Sequence, residues 1–149
     1  MSGKVDHPIA PYLCVNDGER AIAFYKEAFG AVERLRLGAP GQRIGHAELL
    51  INGALIMLSD EFPDMDVRSA ATLGGSPVVV CLTVDDVDQV AQRAVAAGAK
   101  ALRPVADQFY GDRGGKFQDP FGHVWWIATH IEDLSPEEIR RRAEALYGS

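Results

Sequence analysis

The stretch Gly45 to Asp60, GHAELLINGALIMLSD, decides how the chain is read. Asn52-Gly53 between two apolar runs predicts a β-hairpin, because both residues tolerate the positive φ of a type I′ turn. That turn sets the register: Ile51 opposite Ala54, Leu50 opposite Leu55, Leu49 opposite Ile56, Glu48 opposite Met57 and His46 opposite Ser59. Paired residues share a face. One face is then Ala47, Leu49, Ile51, Ala54, Ile56 and Leu58, wholly apolar and in need of a helix to cover it. The other mixes His46, Glu48 and Ser59 with Leu50, Leu55 and Met57, a composition suited to a pocket wall.

Outward from the hairpin, residues 9–16 (IAPYLCVN) alternate as a strand, and Asp17 caps a helical stripe of Ala21, Ile22, Tyr25, Ala28 and Phe29 that Gly30 closes. A strand over Val32–Leu37 and a turn at Gly38–Gly41 complete the order β-α-β-β-β. After a stretch interrupted by Pro63, Gly74-Gly75 and Pro77, which reads as a linker able to fold over a pocket, the order recurs. VVVCLTVDD is a strand with a cap; Val87, Val90, Ala91, Ala94 and Val95 form the stripe, and Gly98 ends it. Leu13–Asp17 maps onto Leu82–Asp86 at 82 − 13 = 69, and the hairpin glycines Gly53 and Gly122 at 122 − 53 = 69. Two landmarks with one offset indicate a duplicated module. The fold expected is α+β: a single domain over 1–149, with module 1 at about 5–61, a linker at 62–76, module 2 at about 77–130 and a C-terminal helix at about 135–147. Ser135-Pro136-Glu137-Glu138 predicts the start of that helix, with Glu138 completing a capping box.

At 149 residues, 47% hydrophobic and 24% charged, the chain suits one domain with its own core. A net charge of −6 argues against nucleic acid or an anionic membrane as partner, despite Arg140-Arg141-Arg142. MSGKVDHPIA lacks the apolar core of a secretory leader and no run is long enough to span a bilayer, so a cytoplasmic location is expected. Cys14 and Cys81 make no disulfide framework.

AIAFYKEAFGA after the first strand, HAEL with NG and IMLSD in the hairpin, and GDRGGKFQDPFGHVWWIATH near the end resemble the vicinal-oxygen-chelate superfamily of glyoxalases and bleomycin-resistance proteins, and more narrowly its PhnB-like branch. The resemblance implies two modules whose strands form a curved mixed sheet around a cavity, helices outside, and a homodimer. In metal-using members each module supplies ligands from its first and last strands. Carried over, those positions are Ala10, Met57, Val79 and Trp126, spaced by the same 69 residues. None offers the imidazole, carboxylate or thiolate a divalent ion needs, so no cofactor is expected.

His46 and Glu48, on one strand face, are the candidate catalytic residues. With Cys14, Cys81 or His123 they would form a relocated metal or acid-base site; alternatively they only orient each other. In a cavity walled by Leu55, Met57 and Trp126, Glu48 would have a raised pKa and serve as a general base. Tyr12, Cys14, Cys81 and Thr83 share the parity of the former ligand positions and are expected to face one cavity. Neither thiol has a base beside it in sequence. Phe109–Gly115 reads either as a lid presenting Tyr110 and Arg113 to a ligand or as a loop pinned by Asp112 and Arg113, and it lacks the pattern of a phosphate loop. Parity puts Trp126 on the cavity side with Phe117 as a second aromatic wall, and Trp125 on the helix side. The ligand-binding set is thus Tyr12, Cys14, His46, Glu48, Met57, Cys81, Tyr110, Arg113, Phe117 and Trp126. Three readings follow: metal-independent binding of a small apolar or aromatic molecule, sequestration of a toxic compound being one form; a glyoxalase-like lyase or isomerase using Glu48 or a divalent metal at a relocated site; or a filled cavity in a protein that acts through its dimer surface.

Overall fold

A computed structural model describes residues 6–148; the first residues of MSGKVDHPIA, where module 1 begins, lie outside them. Module 1 comprises β1 (Tyr12–Val15), α1 (Gly18–Phe29), β2 (Val32–Leu37), β3 (His46–Ile51) and β4 (Ala54–Asp60). Helix α2 (Ala70–Leu73) follows, then module 2 with β5 (Val79–Thr83), α3 (Val87–Ala97), β6 (Lys100–Asp107), β7 (Asp112–Gln118) and β8 (Val124–His130), and finally α4 (Pro136–Tyr147). The eight strands form two mixed four-stranded sheets of matching order, β1-β4-β3-β2 and β5-β8-β7-β6. This is the α+β arrangement of paired βαβββ modules with a C-terminal helix that the repeat predicts. The ladders are two rather than one.

The Asn-Gly turn fixes the first hairpin as expected: Glu48 pairs with Met57, Leu49 with Ile56, Leu50 with Leu55 and Ile51 with Ala54. The ladder stops at Ala47 and Leu58, one pair short of His46 and Ser59. Leu49, Ile51, Ile56 and Leu58 are buried beneath α1, each burial stabilising the fold by about 1.5–3 kcal/mol; Ala54, at the turn, stays exposed.

The repeat extends to details of hydrogen bonding. Asp17 and Asp86 cap α1 and α3 by accepting from Arg20 N and Gln89 N. The next orphan N–H of each helix is met by the last strand of its module: Gly18 N donates to Asp60 Oδ1 at 2.8 Å, and Val87 N to Thr129 Oγ1 at 2.8 Å. Each hairpin turn also reaches the first strand of the other module. Asn52 Nδ2 donates to the Thr83 carbonyl at 2.7 Å and His123 Nε2 to the Cys14 carbonyl at 2.9 Å, where 14 + 69 = 83. A reciprocal clasp of this kind, with α1 packed on α3 and Arg93 Nη2 donating to the Glu27 carbonyl at 2.9 Å, joins the modules into one body.

Asp119 lies at the centre of that junction. It is 4% exposed, and its carboxylate accepts from Tyr25 Oη (2.5 Å), Trp125 Nε1 (2.9 Å), Phe121 N (2.9 Å) and His123 N (3.0 Å). Four donors satisfy a buried anion that would otherwise be costly. Burial, and then the neighbouring Asp119 charge, push the Tyr25 phenol well above its usual range, so it stays a donor.

Several expectations need correction. The first strand is Tyr12–Val15 rather than 9–16, and Ile9 is 91% exposed. The linker is structured, with a 3-10 turn at Pro63–Met65 and α2 held by Glu61, which accepts from Ser69 and Thr72. Val95 is 48% exposed, because the buried stripe of α3 runs Val87, Ala91 and Ala94 and Val95 lies beside it. In α4 Ser135 caps as expected, but Glu138 turns to Arg141 and Arg142 instead of closing the capping box. No helix among the described residues is long and apolar enough to cross a membrane.

Candidate functional site

Strand parity sends Leu13 and Val15 into the core and Tyr12 and Cys14 to the open face of the first sheet, where a row runs Tyr12, Met57, Glu48, Leu35 across β1, β4, β3 and β2. The polar groups of this face bond to one another. A carboxylate only accepts, so His46 Nε2 donates to Glu48 Oε2 at 3.0 Å, and His46 Nδ1 shares a hydrogen bond of 2.8 Å with the Tyr12 hydroxyl. Glu48 Oε1 faces Arg34 Nε at 3.4 Å, brought there by the bulge between Glu33 and Leu35. A cavity of about 490 Å³ adjoins Tyr12, lined also by Ser59 and, from the linker, by Phe62, Met65 and Val67. Glu48 does not line it, nor is it walled by Trp126 as expected. Cys14 sits half-buried on this face, its thiol pushed up first by burial and then by Glu61 and Asp60.

The second sheet carries the matching row Cys81, Trp126, Lys116, Arg103 across β5, β8, β7 and β6. These four residues line a cavity of about 400 Å³, closed at the sides by Phe109, Tyr110 and Tyr147. The Trp126 indole lies over Gly114, where a Cβ would come within 2.7 Å of the ring, so a glycine is what seats it. Tyr147 reaches the cavity because α4 is tied down by Arg142, which donates to the Phe109 carbonyl at 3.2 Å and pairs with Glu132 and Glu138. Phe109 meets Tyr147 edge-on, centroids 5.9 Å apart. Burial, then Asp112, raise the Tyr110 phenol, which leaves its hydroxyl a donor at neutral pH.

The structure therefore divides the predicted site residues. Cys81, Tyr110 and Trp126 meet in one cavity; Tyr12, Cys14, His46, Glu48 and Met57 stand on the other module's face. Thr83, two residues beyond Cys81 on β5, does not line that cavity, and its carbonyl accepts from Asn52. Phe117 and Arg113 are on the opposite side of β7 from Trp126. Phe117 pairs with Trp125, is 3% exposed and floors a separate groove between α3 and β6; Arg113 bridges Asp88 and Asp107. The cause is one extra residue in the second hairpin. Paired residues Glu48 and Met57 are 57 − 48 = 9 apart, whereas Lys116 and Trp126 are 126 − 116 = 10 apart. A shift of one residue exchanges the faces of a strand, so Lys116, not Phe117, looks into the cavity. Lys116 was legible only through that spacing, which the length of the Asp119-Pro120-Phe121-Gly122 turn sets; Arg103 comes opposite it through the register shifts on either side of Arg103 in β6.

The family's metal positions fare no better in place than in sequence. Ala10 precedes β1, and Met57, Val79 and Trp126 supply no suitable donor. Among the described residues no three His, Cys, Asp or Glu side chains come together as a metal would require; His123 is engaged by the Cys14 carbonyl, and Cys81 lies in the other module from His46 and Glu48. The donor set does not fit a divalent ion.

Comparison with known proteins agrees with this architecture. A family model described as the glyoxalase/bleomycin resistance protein/dioxygenase superfamily matches residues 4–127. An uncharacterised protein of Mycobacterium bovis is 42% identical over 143 residues, 94% of each chain. The crystal structure of TioX from Micromonospora sp. ML1 is 30% identical with a TM-score of 0.66, covering 85% of this chain and all of that one. A glyoxalase-related enzyme from Fulvimarina pelagi is 26% identical with a TM-score of 0.65, covering 84% and 88%. With the duplicated module, the paired sheets and this match, the chain belongs to the glyoxalase/bleomycin resistance protein/dioxygenase superfamily.

Proposed function

We propose that this protein binds a small apolar or aromatic molecule without a metal, as a sequestering, resistance-type member of its superfamily and of the PhnB-like branch, acting as a cytoplasmic homodimer. The observation that carries the reading is the cavity on the second sheet: a half-buried indole as floor, three further aromatic residues as walls, and polar groups at one side. Such concave, mainly apolar sites with a few convergent polar groups are the usual form of a ligand pocket. The exposed Val32, Leu35 and Leu37 of β2 support a second copy as partner. A lyase or isomerase reading would rest on the Tyr12, His46 and Glu48 chain, yet both Glu48 oxygens already have partners, which favours binding over base catalysis.

Thermal shift across a library of small aromatic metabolites tests the proposal. Binding to the native state alone at a hundred times Kd stabilises by about 2.7 kcal/mol, so at least one chemical series should raise Tm clearly, and Trp126→Ala should abolish the shift. No responding compound, or shifts that persist in Trp126→Ala, would remove the cavity from consideration.

A further inference from the structure

The chain has 21 acidic residues against 15 Lys and Arg, yet the lining of the second-sheet cavity holds two cations and no carboxylate. Arg103 and Lys116 are direct partners on adjacent strands, in one row with Trp126. Like charges placed opposite each other in a sheet repel. Among the described residues neither is in an ion pair, while Asp112 on the same strand face is taken by His130 and Glu132 by Arg142. At the matching places module 1 has Leu35 and Glu48, and the charge of Glu48 is answered within the module by Arg34. Nothing in module 2 plays that part.

We infer that the ligand is a flat apolar molecule carrying an anionic group, a carboxylate, sulfonate or phosphonate, with its ring system on Trp126 and its anion between Lys116 and Arg103. This rests on the binding reading above and narrows it to a charge class. The guanidinium of Arg103 offers a planar fork matched to oxyanions, and the ammonium of Lys116 a rotatable point charge beside it. The anion removes the repulsion between the two cations, and the Tyr110 hydroxyl at the cavity wall is a further neutral donor.

A matched pair of fluorescent probes tests the inference on the full chain: 8-anilino-1-naphthalenesulfonate and its neutral counterpart N-phenyl-1-naphthylamine. The sulfonate should bind more tightly than the neutral probe by about tenfold or more, the scale of a charge-assisted hydrogen bond, and the ratio should fall as salt is added. Lys116→Met and Arg103→Met should each erase most of the preference while leaving the neutral probe bound, which also shows that the variants are folded; Arg140→Met, exposed on α4, should leave the ratio unchanged. Equal affinity for the two probes, or a preference untouched by both variants, overturns the anion assignment while the binding reading stands. Failure of Trp126→Ala to weaken either probe overturns both.

Discussion

At the middle of the first sheet stand Tyr12, Met57, Glu48 and Leu35; at the matching places in the second stand Cys81, Trp126, Lys116 and Arg103. The scaffolding around the two rows is nearly the same, down to the last-strand side chain that meets the N-terminus of each helix and the turn that clasps the other module. The faces differ in how their charges are answered. In module 1 the polar groups satisfy one another along Tyr12, His46, Glu48 and Arg34. In module 2 the place of His46 is taken by Gly114, which frees the space the Trp126 ring occupies, and the cations in the same cavity are in no ion pair among the described residues. A duplicated scaffold thus carries one self-neutralised face and one whose cations have no ion-pair partner among the described residues.

The two turns offer the largest effect by which that comparison can be broken. Asp119→Ala strands a tyrosine hydroxyl, an indole N–H and two backbone N–H groups in the core, and should cost about 3–4 kcal/mol. Asn52→Ala, in the corresponding turn of module 1, loses one hydrogen bond and places alanine at φ 50°, a cost of about 1–2 kcal/mol. Urea denaturation measures both. An Asn52 variant as damaged as the Asp119 variant would mean that the junction does not depend on the buried carboxylate.

That asymmetry also explains what was legible in the sequence. Asn52-Gly53 specifies a two-residue loop, so every pair from Glu48–Met57 to Ile51–Ala54 followed from it. Asp119-Pro120-Phe121-Gly122 is plainly a turn, but its loop length depends on Asp119 folding back to its own neighbours and to Tyr25, 94 residues earlier in the chain. One residue of difference turned Phe117 to the buried face and hid Lys116, whereas Arg113, read as part of a loop over Phe109–Gly115, lies on β7 and is pinned by Asp88 and Asp107. Arg34 reaching Glu48 depends on a bulge in β2 that no local pattern announces, and the burial of each module's helix against the other is a tertiary fact.

A middle-sized effect separates Gly114 from His46, its counterpart. Gly114→Ala drives a methyl group into the rigid Trp126 ring and should destabilise by about 1–3 kcal/mol, with loss of ligand response as the ring lifts. His46→Ala removes the centre of a half-exposed chain whose ends can turn to water, and should cost under about 1 kcal/mol. Matched urea midpoints for the two variants would dissolve the distinction between a packed and a self-bonded face.

The smallest effect concerns the thiols, one on each face. Cys14 is half-buried, and burial together with Glu61 and Asp60 raises its pKa, so at pH 8 it holds less thiolate than an ordinary cysteine. Cys81 is exposed and shares its cavity with Arg103 and Lys116. Iodoacetamide labelling followed by peptide mass spectrometry should therefore modify Cys81 several-fold faster than Cys14. Raising the pH beyond the ordinary thiol range should narrow the gap, because the thiolate fraction of Cys14, displaced upward, goes on rising where that of an ordinary thiol has levelled off. A gap that stays constant with pH would assign the difference to access alone, and faster labelling at Cys14 would contradict the contrast in charge between the two faces.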